Sequence, residues 1–225
     1  MYHVLAQHPD IYFPTKTFSV ANKHEMHYFD RQYHLPLKEY ALKYKDGVGK
    51  IKGDITPAYS VLSRERIQFI KKIMPQLKIV FIMRNPVDRA WSHALMDLVK
   101  QPKRSYNEFS EAAFFNHFKS ERSRSRGNYP QIIDNWLASF PEKQVLFAFY
   151  EDIQNNPVGL LSDIFSHIGI KSDVDLNSIQ YDQRINKNPS IAMPPACREM
   201  LSKMYAPEIE VLYDRFGRKI ESWRC

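Results

Sequence analysis

Two residues in one short segment have the types and the spacing needed to bind an anion. Arg84 directly follows the apolar run KIVFIM (78–83), and Ser92 lies eight positions later in the chain. A guanidinium at the end of a strand, beside the unpaired N–H groups of a helix N-terminus, is well placed to bind a phosphate. The spacing alone leaves two points open. Arg84 fits an ordinary salt bridge equally well, and whether Ser92 faces the same anion depends on the fold.

A second group of chemically capable residues lies in HEMHYFD (24–30). Glu25 stands among apolar and aromatic neighbours, where partial burial would suit a general base, although a surface carboxylate paired with Lys23 explains it as well. The histidines around Glu25 could also suggest metal ligands, but no second cluster obviously completes a site. Since no C-x-x-C or H-E-x-x-H pattern occurs, no metal is predicted.

The elements that must position these residues alternate between strands and helices. KIVFIM is the clearest strand, and its unbroken apolar character predicts burial on both faces of a parallel sheet. In such sheets ligands bind beyond the C-terminal ends of the strands, which directs attention to Arg84. The predicted fold class is therefore α/β, a parallel β-sheet flanked by helices. The predicted strands are 11–13, part of 50–60, 78–83 and 144–150; the predicted helices are 2–8, 36–45, 62–74, 86–99, 105–120, 129–139, 157–168 and 194–216; a basic loop is predicted at 119–129.

The bulk properties limit the class of protein and its partners. The 225 residues, 44% of them hydrophobic, suit a single domain over 1–225. The net charge of +7 favours anionic partners, but no nucleic-acid-binding signature appears, so none is expected. Two cysteines indicate no disulfide framework, and no apolar run reaches the ~20 residues of a membrane span. A cytoplasmic location is expected, or the Golgi lumen if a membrane anchor precedes Met1.

Several segments together resemble one known family. RNPVDRAWSHA (84–94) closely resembles the 3′-phosphate-binding motif of sulfotransferases that use 3′-phosphoadenosine-5′-phosphosulfate (PAPS), particularly the heparan-type and bacterial carbohydrate enzymes. HEMHYFD and GDITPAYS (53–60) resemble two further family segments in the same order. So do LAQHPDIYFP (5–14) and the helix–strand unit 129–157. The resemblance covers most of residues 3–170.

The resemblance implies roles for particular residues. Arg84 and Ser92 would bind the 3′-phosphate, and a late basic loop (184–190) would contribute Lys187. Glu25 would be the catalytic base, flanked by His27 and Asp30. The implied fold is the P-loop-NTPase-like sulfotransferase fold, with PAPS as sulfuryl donor, a hydroxyl or amine of a carbohydrate as acceptor, and no metal. Other candidates are weaker: Asp54 and Thr56 near the base, Arg184 in the late loop, and the basic residues Lys119, Arg122, Arg124 and Arg126 for an anionic acceptor.

One family feature is missing from the sequence. The family's 5′-phosphosulfate loop has the pattern K-x-G-T-(T/S), which occurs nowhere in these residues. We therefore expect an N-terminally truncated domain without its first strand and phosphosulfate loop, with little or no sulfotransferase activity and poor stability. The alternative is a diverged protein that binds a nucleotide or polyanion without catalysis.

Overall fold

The computed structural model describes residues 1–18, 24–170 and 191–224. Its contacts group the chain into two compact units. The first unit is formed by 1–81, 136–148 and 152–183, and the second by 82–135, 149–151 and 184–225. Among the described residues, no helix is long and apolar enough to cross a membrane.

The described elements alternate as the sequence predicts. The helices are α1 (Tyr2–Leu5), α2 (Leu37–Lys43), α3 (Arg64–Ile73), α4 (Pro86–Ala94), α5 (Glu111–Lys119), α6 (Glu121–Ser125), α7 (Tyr129–Leu137), α8 (Asp152–Asn155), α9 (Pro157–Ile168) and α10 (Pro195–Phe216). The strands are β1 (Ile11–Tyr12), β2 (Ile51–Lys52), β3 (Ile79–Met83) and β4 (Val145–Phe149).

The strands form two small sheets in the described part of the chain. β1 and β2 pair in parallel, with Ile11 opposite Ile51, and β3 is hydrogen-bonded to β4. Parallel pairing requires a crossover connection, and α2 lies between β1 and β2 in the chain. The predicted α/β class, with parallel strands and flanking helices, is confirmed.

The expectation that KIVFIM is buried on both faces is wrong for most of its length. Only Met83 is buried, whereas the other residues of β3 are partly exposed. The reason is that β3 has a single hydrogen-bonded strand neighbour, β4, among the described residues. An apolar run therefore marks the strand correctly but does not fix how many neighbours cover it.

The helix after β3 begins as predicted and then changes its geometry. The Asn85 side chain caps α4 by accepting from Val87 N at 2.9 Å, and Pro86 occupies the first helical position. Beyond Ala94 the chain continues as a π-helix, Leu95–Lys100, in which Gln101 N donates to Met96 O. Such i→i+5 segments are rare and frequently accompany functional sites.

The predicted basic loop at 119–129 is wrong in its first half, which is helical. α6 starts because the Ser120 side chain accepts a hydrogen bond from Ser123 N. The charges of this segment point outward from a short helix instead of lying on a loop, since Arg122 and Arg124 are exposed whereas Ser123 is buried.

The second unit is organised around α10, which packs against α4 and α5. Its buried residues recur every three or four positions, as expected for one helix face. They are Cys197, Leu201, Tyr205, Ile209 and Leu212. The predicted C-terminal helix is thus confirmed. In the 3₁₀ turn that follows it, Trp223 is buried and donates a hydrogen bond to Glu151 Oε1 at 2.9 Å.

Candidate active site

A histidine held between two carboxylates is the central feature of the first unit. His27 Nε2 lies 2.7 Å from Glu25 Oε2, and His27 Nδ1 lies 2.8 Å from Asp30 Oδ2. The histidine is buried, while the side chains of Glu25 and Asp30 are 23% and 17% exposed. Both ring nitrogens donate at once only when the imidazole is protonated, so the geometry fits an imidazolium between two carboxylates. We call Glu25, His27 and Asp30 the catalytic cluster, after the roles that the family resemblance predicts for them.

The backbone at His27 is in a conformation that non-glycine residues rarely adopt. Its φ of 53° and ψ of 26° place it in the left-handed region, immediately before the π-helix Tyr28–Gln32. Left-handed residues other than glycine are concentrated at functional sites, because the surrounding structure must hold them there. Here the unusual turn lets one imidazole reach a carboxylate on each side of it in the chain.

Two hydroxyl groups from the segment GDITPAYS hold this turn in place. Thr56 Oγ1 accepts from Met26 N at 2.9 Å, and the Tyr59 hydroxyl accepts from Tyr28 N at 2.9 Å. These N–H groups have no partner within the π-helix, so the hydroxyls satisfy buried donors that would otherwise be costly. The two segments that resemble the family in sequence are therefore bonded to each other in space.

Asp54 completes the polar layer behind the turn. Its Oδ1 accepts from Thr56 Oγ1 at 2.7 Å, and its Oδ2 accepts from the Tyr40 hydroxyl at 3.2 Å. Burial raises the pKa of Asp54 to about 6, although hydrogen bonds from Thr56, Tyr40 and Tyr59 and the charge of His27 oppose that rise. Asp54 thus acts through Thr56 and is a positioning residue.

The catalytic cluster has the composition needed for proton transfer. A carboxylate has two oxygens and about four lone-pair sites, so Glu25 can accept from His27 and still accept a proton from a bound hydroxyl. His27 lies where it can orient Glu25, and Asp30 lies where it can orient His27. The structure brings the three predicted residues together, and their catalytic roles remain a prediction.

In the second unit, Arg84 lies where the sequence predicts, between the end of β3 and the start of α4. Its guanidinium lies 5.0 Å from the centre of the Tyr150 ring, close enough for a cation–π contact. Its backbone is fixed by Tyr129, whose hydroxyl donates to Arg84 O at 2.9 Å. The side chain therefore lies along an aromatic ring, and the residue directly precedes the cap of α4, a helix whose N-terminus favours anions.

The remaining residues predicted to bind the nucleotide or an anionic acceptor lie in different surroundings. Ser92 lies on α4, partly exposed. Lys187 and Arg184 lie outside the described residues. In the basic group near α6, Lys119 and Arg124 are exposed, whereas Arg122 pairs with Asp97 at 3.1 Å.

Three tyrosines that position the candidate residues were not singled out from the sequence. Tyr59 holds the turn at His27, whereas Tyr129 and Tyr150 hold Arg84. The signal for Tyr59 was available, because it belongs to the GDITPAYS segment. Nothing in the sequence separates the buried Tyr129 or the exposed Tyr150 from tyrosines without such a role.

Comparison with known proteins identifies relatives for most of the chain. A family model described as the sulfotransferase domain matches residues 59–190, more than half of the chain. Heparan sulfate glucosamine 3-O-sulfotransferase 3B1 of Mus musculus is 27% identical over 220 residues, covering 86% of this chain and 56% of that protein. Heparan sulfate glucosamine 3-O-sulfotransferase 6 of Homo sapiens is 33% identical over 152 residues, covering 65% and 44%. The chain spans about half the length of the curated relatives it matches.

A solved sulfotransferase structure is similar to this chain over its whole length. The sulfotransferase from Alicyclobacillus acidocaldarius superimposes with a TM-score of 0.74 at 25% identity, covering 100% of this chain and 92% of that one. This similarity confirms the predicted fold. The residues matched by the family model include Arg84 and Ser92, whereas the catalytic cluster precedes them in the chain.

Proposed function

Because the chain belongs to the sulfotransferase family, we propose that its residues serve sulfuryl transfer from PAPS to a hydroxyl of a carbohydrate acceptor. The observation that carries the proposal is the catalytic cluster, in which His27 joins Glu25 at 2.7 Å and Asp30 at 2.8 Å. Burying an imidazole with a carboxylate beside each ring nitrogen costs free energy of folding, because all three polar groups lose most of their contact with water. This arrangement is explained by a need to hold Glu25 in one orientation.

The proposed step exchanges one sulfur–oxygen bond for another. The acceptor oxygen attacks the sulfur of PAPS, and the bond from that sulfur to the oxygen of the 5′-phosphate breaks. The acceptor proton goes to Glu25, and 3′-phosphoadenosine-5′-phosphate (PAP) leaves with the bond's electron pair. In such reactions the protein contributes mainly orientation and charge stabilisation, so the fixed position of Glu25 is the main contribution of the cluster.

Arg84 and Ser92 are proposed to bind the 3′-phosphate of the nucleotide. The support is the position of Arg84 beside the N-terminus of α4 and its anchoring by Tyr150 and Tyr129. An anchored guanidinium loses little side-chain entropy on binding, and its planar N–H groups match two phosphate oxygens. Lys187 remains proposed as an additional contact.

A sulfated glycan is the proposed class of acceptor. Two of the relatives are named as heparan sulfate glucosamine 3-O-sulfotransferases. The net charge of +7 would favour approach of a polyanion, in a manner that weakens as salt is added.

The experiment that tests this proposal is single-turnover transfer of labelled sulfate from PAPS to a heparan sulfate oligosaccharide, with protein in excess. Excess protein is needed because the sequence lacks K-x-G-T-(T/S), so slow turnover is expected. Glu25→Gln should reduce the transfer rate by about 100-fold or more, the usual contribution of a general base. Its affinity for PAP should stay unchanged, because Glu25 is assigned no nucleotide contact.

Glu39→Gln is the matched control, since Glu39 is an exposed carboxylate of α2 in the same unit. It should leave the rate unchanged. Equal rates for Glu25→Gln and the wild type would contradict the base assignment. Wild-type protein that binds PAP but transfers nothing would instead support the second candidate function, nucleotide binding without catalysis, which the absent loop motif favours.

A further inference from the structure

A second histidine–carboxylate cluster lies in the second unit and contains none of the residues assigned to catalysis or nucleotide binding. It consists of His93 on α4, Asp97 on the π-helix that continues α4, and His117 on α5. Asp97 Oδ2 lies 3.3 Å from His93 Nε2 and 3.1 Å from His117 Nε2. All three donor atoms lie within 4.8 Å of one another. We call these residues the His93–Asp97–His117 cluster.

The local structure explains how the three side chains meet. His93 and Asp97 are four positions apart, so they lie on the same face at the junction of α4 with the π-helix. α5 packs against α4, and its last turn brings His117 to that face. The two imidazole rings are 4.9 Å apart and inclined by 74°, so that neither stacks on the other.

His93 has unmet bonding capacity. Its side chain is only 5% exposed, yet within the described part of the chain neither ring nitrogen has a hydrogen-bond partner. A buried polar group without a partner is destabilising. A hydrogen-bonded network alone does not explain why both ring nitrogens of His93 lack hydrogen-bond partners among the described residues.

The distances match those between ligands of a metal ion. Donors about 2.0–2.1 Å from a tetrahedral zinc ion lie about 3.3 Å from each other, and both distances to Asp97 Oδ2 are close to that value. Two imidazoles with one carboxylate suit Zn²⁺ or a similar transition metal, whereas Mg²⁺ and Ca²⁺ prefer oxygen ligands. From this geometry we propose that His93, Asp97 and His117 form a Zn²⁺ site that links α4 to α5, with water as a fourth ligand.

Positive charges near the cluster limit its affinity. Arg122 Nη1 lies 3.1 Å from Asp97 Oδ2, and Arg89 and Arg126 also face His93. Arg122 is 60% exposed, so its side chain can leave Asp97 when a metal ion arrives. Removing Arg122 should therefore strengthen metal binding. A purely hydrogen-bonded cluster offers no reason for that effect.

No sequence pattern indicates this site, because its ligands do not form a known motif. His93 and Asp97 follow an i, i+4 spacing that often reflects an ordinary helix pair, and His117 lies on another helix. The site becomes visible only when α5 is placed against α4.

The test is titration of untagged protein with Zn²⁺ in competition with a chromophoric chelator, and with Co²⁺ for the visible absorption of a four-coordinate site. One equivalent should bind. Asp97→Asn and His117→Gln should each weaken binding by at least about tenfold, since loss of outer-shell partners alone has that effect. Arg122→Ala should bind about two- to fivefold more tightly, the worth of an exposed ion pair. Zn²⁺ should also raise the melting temperature of the wild type and not that of Asp97→Asn.

His3→Gln is the control, because His3 lies beside His24, with ring centres 5.2 Å apart, in the other unit. It should bind Zn²⁺ as the wild type does. Circular dichroism of Asp97→Asn and His117→Gln verifies that both variants are folded, and two different variants guard against misfolding of either. A wild type that binds no Zn²⁺, or equal binding by Asp97→Asn, would overturn the proposal, as would loss of binding in His3→Gln.

Discussion

Replacement of Asp54 by asparagine should change how stability depends on pH. Asp54 is enclosed by Thr56 and Tyr40, and burial raises its pKa to about 6. Asparagine has the same shape, can accept from Thr56 Oγ1 through its amide oxygen, and is neutral at every pH. The substitution therefore removes one ionisation and keeps most of the packing and the contact with Thr56.

The expected magnitude follows from the pKa of Asp54 in the folded and unfolded chain. An unfolded aspartate has a pKa of about 3.9, against about 6 in the fold. Between these values the folded protein holds a proton that the unfolded chain has lost, so the free energy of unfolding falls as the pH rises. Each pKa unit is worth about 1.4 kcal/mol, which gives a loss of about 3 kcal/mol in the wild type by pH 7. Asp54→Asn should not suffer this loss.

The assay is urea unfolding of both proteins at several values from about pH 4 to about pH 7. The difference in unfolding free energy should grow by about 2 kcal/mol in favour of Asp54→Asn over this range, because an unfolded aspartate is already about half ionised at pH 4. Asp46→Asn is the control, because Asp46 is exposed on the same unit, and its difference from the wild type should stay flat. Parallel curves for Asp54→Asn and the wild type would refute the reasoning that burial dominates at Asp54.

Three further substitutions test the positioning elements by equilibrium unfolding. Thr56→Val removes the hydrogen-bond acceptor of Met26 N and should lower the free energy of unfolding by about 1–3 kcal/mol. It should also slow sulfuryl transfer in the single-turnover assay. Thr56→Ser should restore both the stability and the transfer rate. Asn85→Ala removes the cap of α4 and should cost about 1 kcal/mol, which Asn85→Asp should largely recover. Gly169→Ala should cost about 1–2 kcal/mol, because Gly169 ends α9 at a φ of 83°. Unchanged unfolding midpoints in these variants would contradict the assigned roles.

The sequence predicts the helices well where capping or helix-terminating residues mark their ends. The helix predicted from residue 86 starts at Pro86, next to the cap Asn85, and the helix predicted to end at 168 ends there, before the left-handed Gly169. These signals are local, because a cap or a left-handed glycine acts within one turn. The meeting of Glu25, His27 and Asp30 was implied by family resemblance and not by spacing.

Features that depend on neighbours distant in the chain were not predictable. The exposure of β3 depends on how many strands flank it, and the left-handed turn at His27 depends on hydroxyls of Thr56 and Tyr59 about 30 positions away. The π-helix after α4 likewise has no distinct sequence signature. Each of these is decided by tertiary contacts that override local preference.

The central claim is that Arg84 recognises the 3′-phosphate of an adenine nucleotide. Calorimetry with PAP and with adenosine 5′-monophosphate, which lacks that phosphate, tests it in the wild type and in Arg84→Ala. Arg104→Ala is the control, because Arg104 is an exposed arginine of the same unit. In the wild type and the control, the binding free energy should favour PAP over adenosine 5′-monophosphate. This preference should be about 1.5–3 kcal/mol larger than in Arg84→Ala, the usual contribution of a hydrogen bond to a charged group. Equal preference in the wild type and Arg84→Ala, or no preference for PAP in the wild type, would contradict the account.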